Sequence, residues 1–380
     1  MQDLHQIKIG ILGGGQLGRM FGLAASNFGI HPYFLEKDNQ FPAGMISQRI
    51  IEGDFTNEED VYNFGCQMDI ISIEIENVNT KALHRLKQDG KKVFPDPSLI
   101  EMIKDKGTQK EFYQKNDLPT SKFIYANNKS DLLNKISNGE ITIPFVQKSR
   151  TEGYDGKGVL VVNDEKDLAK AFDVPSFAEE LVDIKKELAV IVARNEDGEI
   201  KTYPVVEMVF DPEANLVDYL QYPSEISEQE NETCQTIAKT LAAKTSLVGL
   251  LAIEFFLDKK GNILINEMAP RTHNSGHLTM EACVTSQFEQ HLRSITNLAL
   301  GSTDYRMPAI MLNLLGRRDY TGPANYPELE QIAKFPGVHV HIYGKKISKP
   351  KRKMGHINIV SADLNEAKKI LHEIKSILDS

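Results

Sequence analysis

The chain reads as an α/β protein in three parts: a parallel-sheet domain over residues 1–97, a mixed α/β region over 98–304 and a small β-rich domain over 305–380. Three observations predict this. Short apolar runs alternate with helical patterns up to about residue 95, the signature of βαβ units and a parallel sheet. Pro95-Asp96-Pro97 then punctuates the chain, and the pattern changes to strands joined by turns. From about residue 305 two further strand-like runs, 308–315 and 338–343, precede a basic segment.

Residues 7–13 (IKIGILG) form a nearly continuous apolar run, as a strand buried on both faces requires. Gly13, Gly15 and Gly18 spell GxGxxG, and Leu17, Met20, Phe21, Ala24, Ala25 and Phe28 follow at helical spacing up to Gly29. The second strand, 32–36, ends at Glu36, 18 residues after Gly18. A glycine triplet with such an acid is the dinucleotide fingerprint. It is also simply a tight strand-to-helix turn whose helix end attracts an anion. Thr56 to Glu59 suggests a capping box, and 69–75 (DIISIEI) another strand.

In the central region 143–148 reads as a strand ending at Lys148, followed by Gly153-Tyr154-Asp155-Gly156-Lys157-Gly158 and a strand at 159–162. Strand–glycine loop–strand is not a Walker motif, which opens a helix and ends in Lys-Ser/Thr. Its amides can still form a nest around phosphate, or the loop is an ordinary hairpin. Residues 176–181 and 187–194 read as strands around a short linker, and Ser227 to Glu230 caps a helix reaching Lys244. A further helix is expected from Ser286 to Leu300, stopped by Gly301.

The stretch Leu251–His277 concentrates chemistry. Two apolar runs flank Asp258-Lys259-Lys260-Gly261-Asn262. A two-residue turn at Lys260-Gly261 sets Glu254 directly opposite Glu267. Opposed carboxylates repel, unless a proton, a hard cation such as magnesium or a different register intervenes. Arg271, His273, Asn274, Ser275 and His277 follow in a loop where polar groups can face a ligand. In the tail, His339 and His341 alternate with valines without an evident third ligand. Lys345, Lys346, Lys349, Lys351, Arg352 and Lys353 form either a solvated loop or a local anion site.

Hydrophobic residues are 41% and charged residues 26% of the chain, enough for a full core. The net charge of −9 argues against a general nucleic-acid binder. Cys66, Cys234 and Cys283 form no metal-binding spacing, which suits structural thiols in a reducing cytoplasm. No apolar run approaches the ~20 residues of a bilayer span, so no membrane partner is expected.

Five segments then match one family in order: GGGQLGRM near the start, EIEN at 74–77, GYDGKG at 153–158, NEMAPRTHNSGH at 266–277 and RKMGH at 352–356. The chain resembles the 5-(carboxyamino)imidazole ribonucleotide synthases of purine biosynthesis, which are ATP-grasp ligases. The resemblance covers essentially the whole chain, and its APRTHNSGH and RKMGH pieces are the specific ones. It implies a pre-ATP-grasp domain, an ATP-grasp domain with a glycine-loop lid, and the small β-rich domain. It implies carboxylation of the amine of 5-aminoimidazole ribonucleotide by ATP and bicarbonate, through carboxyphosphate, in a cytoplasmic homodimer with two Mg2+ ions.

By the same resemblance, Lys106 and Lys148 contact ATP phosphates and the loop from Gly153 through Val159 closes over them. Glu179, Glu180, Leu181 and Val182 read adenine, and Glu187 accepts from the ribose hydroxyls. Glu254 and Glu267 hold the metal, with Asn266 beside them. Gln16, Leu17, Glu76, Tyr154, Asp155, Arg271, His273, Asn274, Ser275, Lys345, Arg352 and Lys353 hold the ribonucleotide. Asp155, Lys353, Arg271 and His273 are the catalytic set, Asp155 and Lys353 positioning the amine. The family's first glycine loop faces the ribonucleotide, which favours the anion reading over NAD.

Two departures from the family stand out. Phe210 replaces a histidine that the family carries just beyond the PxxE at 204–207, which leaves one ATP-side contact open, and Thr272 stands where proline is common. Rival readings are another ATP-grasp ligase, such as a formate-dependent glycinamide ribonucleotide formyltransferase, an NAD-dependent oxidoreductase, and a non-catalytic binding module.

Overall fold

A computed structural model of the chain describes residues 6–151, 158–211 and 216–379. It divides into two units, one of residues 1–100, 189–252 and 269–380, the other of 101–188 and 253–268.

The first unit begins with a five-stranded parallel sheet in the spatial order Ile50–Glu52, Tyr33–Glu36, Ile9–Leu12, Ile70–Ile73, Lys92–Val93. The continuous apolar run at the start is explained by burial on both faces. Ile9 and Ile11 pack with Leu17, Met20, Phe21 and Ala25 of the helix Gln16–Ser26, and with Phe288, Leu292 and Ile295. Leu12, Ile71 and Ile73 point the other way, onto Val61, Phe64, Leu83 and Leu86. The capping expectation at Thr56 is corrected by one residue. Asn57 caps the helix Glu58–Cys66, its side chain accepting from the amides of Glu59 and Asp60, because Thr56 is already bonded through its amide and hydroxyl to Asp54.

The same unit carries antiparallel strands in the order Val206–Asp211, Leu216–Tyr222, Ala309–Leu315, Lys353–Val360, Val338–Ile342. The C-terminal helix Leu364–Asp379 covers one face through Ala367, Ile370, Leu371 and Ile374, which meet Ile310, Leu312, Ile357 and Ile359. Ser227 and Glu230 form the expected capping box of the helix Glu228–Lys244. The helix expected to reach Leu300 ends sooner, spanning Gln287–Ile295, and Asn297 takes the left-handed φ of 56°.

The second unit holds an antiparallel sheet in the order Phe123–Ala126, Ser176–Glu180, Phe145–Ser149, Val159–Val162. The strand runs one residue beyond Lys148, to Ser149, and Lys148 pairs with Val159. At the hairpin, the Asp258 amide donates to the Asn262 carbonyl (3.0 Å), and the Gly261 amide to the Asp258 carbonyl (3.1 Å). Three residues, Lys259 to Gly261, make the loop, with Gly261 at a φ of +87°. This corrects the two-residue turn expected above. A one-residue change of register moves every cross-strand pair, and counted from this turn Glu254 falls opposite Asn266. The loop is chosen by Asp258, whose carboxylate binds the amides of Lys260 and Asn262 (both 2.8 Å). Among the described residues no helix is long and apolar enough to cross a membrane.

Candidate active site

The second unit gathers the residues expected on the ATP side. The helix Lys106–Lys115 is capped by Asp105, whose carboxylate accepts from the amides of Gly107 and Thr108 and pairs with Arg150. Lys106 and Lys110 lie one turn apart on one face. Lys106 pairs with Glu267 at 2.7 Å. Lys110 reaches Glu179 at 2.6 Å, and also donates to Thr120 and Ser121 at 2.7 Å each. Lys148 takes the other oxygen of Glu179 at 2.6 Å and donates to Asn266 at 2.9 Å.

Glu179 is thus a buried carboxylate between two ammonium groups, with the Ser121 hydroxyl donating as well (2.6 Å). Burial pushes its pKa up, but Lys148 and Lys110 outweigh that and hold it at about 2. Burial drives Glu187 the other way, to about 7, with the Glu267 charge adding to the rise. Burial also raises Glu267, yet Lys106 and Lys148 together outweigh it and hold that carboxyl below its ordinary value.

Glu254 and Asn266 lie on the hairpin with Glu267. Among the described residues no three His, Cys, Asp or Glu side chains converge as a metal-binding group. The donors fit magnesium all the same: they are hard oxygens, and that ion usually takes one or two carboxylates and fills its shell with water and phosphate. Gly153, Tyr154, Asp155, Gly156 and Lys157 lie outside the described residues; Gly158 has a φ of +73° and Val159 is exposed.

The residues expected on the ribonucleotide side sit in the first unit. Arg271 pairs with Glu76 at 2.9 Å and donates to the Thr272 carbonyl. His273 is fixed by Gln287, whose amide oxygen accepts from the His273 N–H (2.9 Å) while its nitrogen donates to the His273 carbonyl (2.8 Å). The His273 ring nitrogen Nδ1 accepts from the Ser275 amide at 3.3 Å and lies 2.9 Å from its hydroxyl. Nδ1 therefore acts as acceptor, and the neutral ring carries its proton on Nε2. Burial, then the charges of Arg271 and Lys353, push the His273 pKa down to about 3. Asn274 bonds Asn313 (2.9 Å). Lys345 donates to the Lys353 carbonyl (2.8 Å), and Arg352 to the Ile347 carbonyl (2.6 Å). His339 is exposed and His341 pairs with Glu281 (2.8 Å). Phe210 packs against the apolar cluster of Val206, Met208 and Leu220.

The glycine loop is filled from within. Glu74 accepts from the amides of Gly15 and Gly18, and Glu36 from Gly14 at 3.0 Å. A Cβ at Gly15 would meet the Glu74 carboxylate, so glycine is required by this approach. The amides that would grip a pyrophosphate are already bonded, with Gln16 and Leu17 opening the helix beside them. Sequence reasoning missed this use of Glu74, and missed Lys110 and Gln287. Lys110 had a signal, the four-residue spacing from Lys106. Gln287 had none, since only the fold brings it to His273.

An α/β chain with a two-lysine carboxylate site on one unit, beside a hairpin bearing two further acids, belongs to the ATP-grasp class, and residues 111–288 match the ATP-grasp domain. Residues 6–104 match the ribonucleotide synthetase preATP-grasp domain, and 309–370 the phosphoribosylaminoimidazole carboxylase C-terminal domain. The N5-carboxyaminoimidazole ribonucleotide synthase of Staphylococcus epidermidis is 32% identical, over 96% of this chain and 95% of its own. The crystal structure of the Thermotoga maritima synthetase has 41% identity and a TM-score of 0.90, covering 98% of each chain. That of the Aspergillus clavatus synthase, in complex with ADP and 5-aminoimidazole ribonucleotide, has 31% identity and a TM-score of 0.91, covering 99% of this chain and 100% of that one. The chain belongs to the N5-carboxyaminoimidazole ribonucleotide synthase family. Yeast phosphoribosylaminoimidazole carboxylases also match, and of these the chain spans 70% (Ogataea methanolica) and 66% (Candida glabrata) of the length.

Proposed function

We infer that this protein carboxylates the exocyclic amine of 5-aminoimidazole ribonucleotide, consuming ATP and bicarbonate and releasing ADP and phosphate. A bicarbonate oxygen takes the γ-phosphoryl group, forming carboxyphosphate and ADP. Carboxyphosphate breaks to carbon dioxide and phosphate, and the amine nitrogen bonds the carbon and gives up a proton. The observation that carries this reading is Glu179 held between Lys148 and Lys110, beside Asn266 and the Lys106–Glu267 pair. Two ammonium groups and one carboxylate leave a net positive charge where phosphates are expected, and preorganised charge is what phosphoryl transfer needs most.

In this reading Lys106 and Lys148 orient the phosphates, and Glu187 accepts from the ribose. Glu179, Glu180, Leu181 and Val182 present their backbone groups to the adenine, while Gly153 to Val159 cover the nucleotide. Glu254 and Glu267, with Asn266, would hold Mg2+, as two ions. Magnesium bound there would neutralise developing charge on phosphate oxygens. Arg271, with Glu76 fixing its guanidinium, and Lys345, Arg352 and Lys353 supply the cationic surface for the ribonucleotide, joined by Gln16, Leu17, Asn274 and Ser275. Neutral His273 offers an N–H donor rather than a charge. Asp155 and Lys353 position the amine. The three-part division at residues 97 and 304, a cytoplasmic setting and a homodimer belong to the same reading.

The test is ADP release with each component omitted in turn. Release requiring both bicarbonate and aminoimidazole ribonucleotide is expected. Release driven instead by formate and glycinamide ribonucleotide would move the chain to the rival ligase. NADH binding followed by fluorescence tests the oxidoreductase, which the self-occupied glycine loop disfavours.

A further inference from the structure

The two most specific motifs each end in a histidine with no role assigned so far, His277 of NSGH and His356 of RKMGH. The fold brings them together. Their rings stack with centroids 4.6 Å apart and planes at 29°. His341 stacks on the other face of this group, 4.4 Å from His356 at 16°. His356 and His277 are buried, 0% and 2% exposed.

From this stack a short chain of bonds runs to the ribonucleotide-side residues. The Gln287 amide nitrogen lies 3.0 Å from Nδ1 of His277 and donates to the His273 carbonyl at 2.8 Å. That contact makes Nδ1 of His277 an acceptor, so its ring is neutral. Gly276 lies against Gln287, where a Cβ would clash with its amide, so this step of the motif is also accounted for. On the other side His356 lies in the strand Lys353–Val360, three residues beyond Lys353. Its Nδ1 is 3.0 Å from the Tyr343 hydroxyl, and two residues on Asn358 donates to the His277 carbonyl at 2.9 Å.

The Nε2 of His356 is buried without a hydrogen-bond partner. That edge of the ring makes no bond, and its contact with the neighbouring imidazoles is through its two faces. What the ring adds is a flat face that fits between two other imidazoles, tying loop to strand.

We propose that His277 and His356 are positioning residues, a stacked imidazole pair that holds the loop Arg271–His277 in register with the strand bearing Lys353. The pair sets the spacing between two groups of substrate-binding side chains without touching substrate. This rests on the assignment of Arg271, His273 and Lys353 to the ribonucleotide, and so concerns that substrate and not ATP.

Three variants at one position test it: His356→Ala, His356→Leu, which keeps bulk but not a flat ring, and His356→Phe, which keeps the ring. The readouts are amide hydrogen exchange in the substrate-free protein and Michaelis constants for both substrates. In the Ala and Leu variants, exchange at Ser275, Gly276 and His277 should speed up by roughly tenfold, the scale of a lost ring pair. The ribonucleotide KM should rise by a similar factor, with the ATP KM within about twofold and the Phe variant close to wild type. Should Ala fail to fold, the Leu–Phe contrast carries the test. Unchanged exchange in the variants lacking the ring would overturn the proposal. So would faster exchange with an unchanged ribonucleotide KM, or an equal rise in both constants, because the stack would then serve the fold alone. Wild-type protein without ribonucleotide-dependent turnover would overturn the assigned reaction instead, and the exchange readout would still decide whether the pair holds the loop.

Discussion

In the unit that holds Lys106 and Lys148, the buried Glu179 keeps its charge by ion pairing; in the unit that holds Arg271 and His273, four buried histidines shed theirs and stay neutral. Glu179 meets two ammonium groups at 2.6 Å each. His273, His277, His291 and His356 are all pushed below their ordinary pKa by burial. The same cost of burying a charge is met in opposite ways. A site for polyphosphate needs fixed charge and keeps it by ion pairing. A site that must orient a heterocycle needs directional donors and flat surfaces, which neutral rings supply. Its charges, Arg271 and Lys353, come from side chains at the margin of the histidine cluster.

The sharpest way to break this comparison is at the hairpin. Glu267→Gln and Glu254→Gln remove charge where the metal is proposed, and such an ion contributes several kcal/mol to transition-state stabilisation. Each variant should lose roughly 10³-fold in turnover, with the double variant little worse, since groups acting on one ion fail as a unit. A double-mutant cycle at saturating magnesium measures this, with melting curves as the fold control. Two modest losses that simply multiply would mean the acids share no ion.

Next in size is the buried triad itself. Lys110→Met leaves Glu179 with a single ammonium partner, and breaking a buried ion pair typically costs about 3–5 kcal/mol. Chemical denaturation should report a loss of that order, with ATP binding weakened as the local net charge falls from positive to neutral. Arg352→Ala addresses the other unit. A charge-assisted hydrogen bond contributes about 1.5–3 kcal/mol, so the ribonucleotide KM should rise roughly 10- to 100-fold while the ATP KM holds. A change confined to the ATP KM would move the basic tail to the wrong substrate.

Much of this was legible in the sequence. The run at 7–13 announces a strand buried on both faces, and Leu12 facing Val61 while Ile11 faces Phe21 is that expectation realised. The succession of a preATP-grasp, an ATP-grasp and a C-terminal domain was legible too. Three things were not. The hairpin register depended on Asp258 binding two loop amides, a local competition that apolar periodicity does not report. The glycine loop's anion was the chain's own Glu74, 56 residues from Gly18. Gln287 reaches His273 only through the fold. Each missing piece is a polar contact, and polar contacts leave no period in a sequence.

The smallest effect expected concerns acid, and it separates the two units by pH. Glu179 titrates at about 2 in the fold against 4.5 ordinarily. Its contribution is complete above pH 4.5 and lost as pH falls toward 2. The histidines behave differently. His291 titrates at about 4 in the fold against 6.5 ordinarily, so between those values the unfolded chain binds a proton that the folded chain does not. Stability therefore falls as pH drops below 6.5, at about 1.4 kcal/mol per pH unit for each such group. Buried in the first unit with Nε2 3.0 Å from the Ser72 hydroxyl, His291 lies apart from the residues assigned to substrates. His291→Phe should leave stability at pH 7.5 lower by about 1–2 kcal/mol, since Ser72 loses its partner. The slope of stability against pH between 6.5 and 4 should become shallower by one proton, while the slope below 4.5 from Glu179 stays. Denaturation midpoints across this range would measure both. An unchanged slope above pH 4.5 in the variant would mean that His291 is already protonated in the fold, and that the first unit does not meet burial by neutrality.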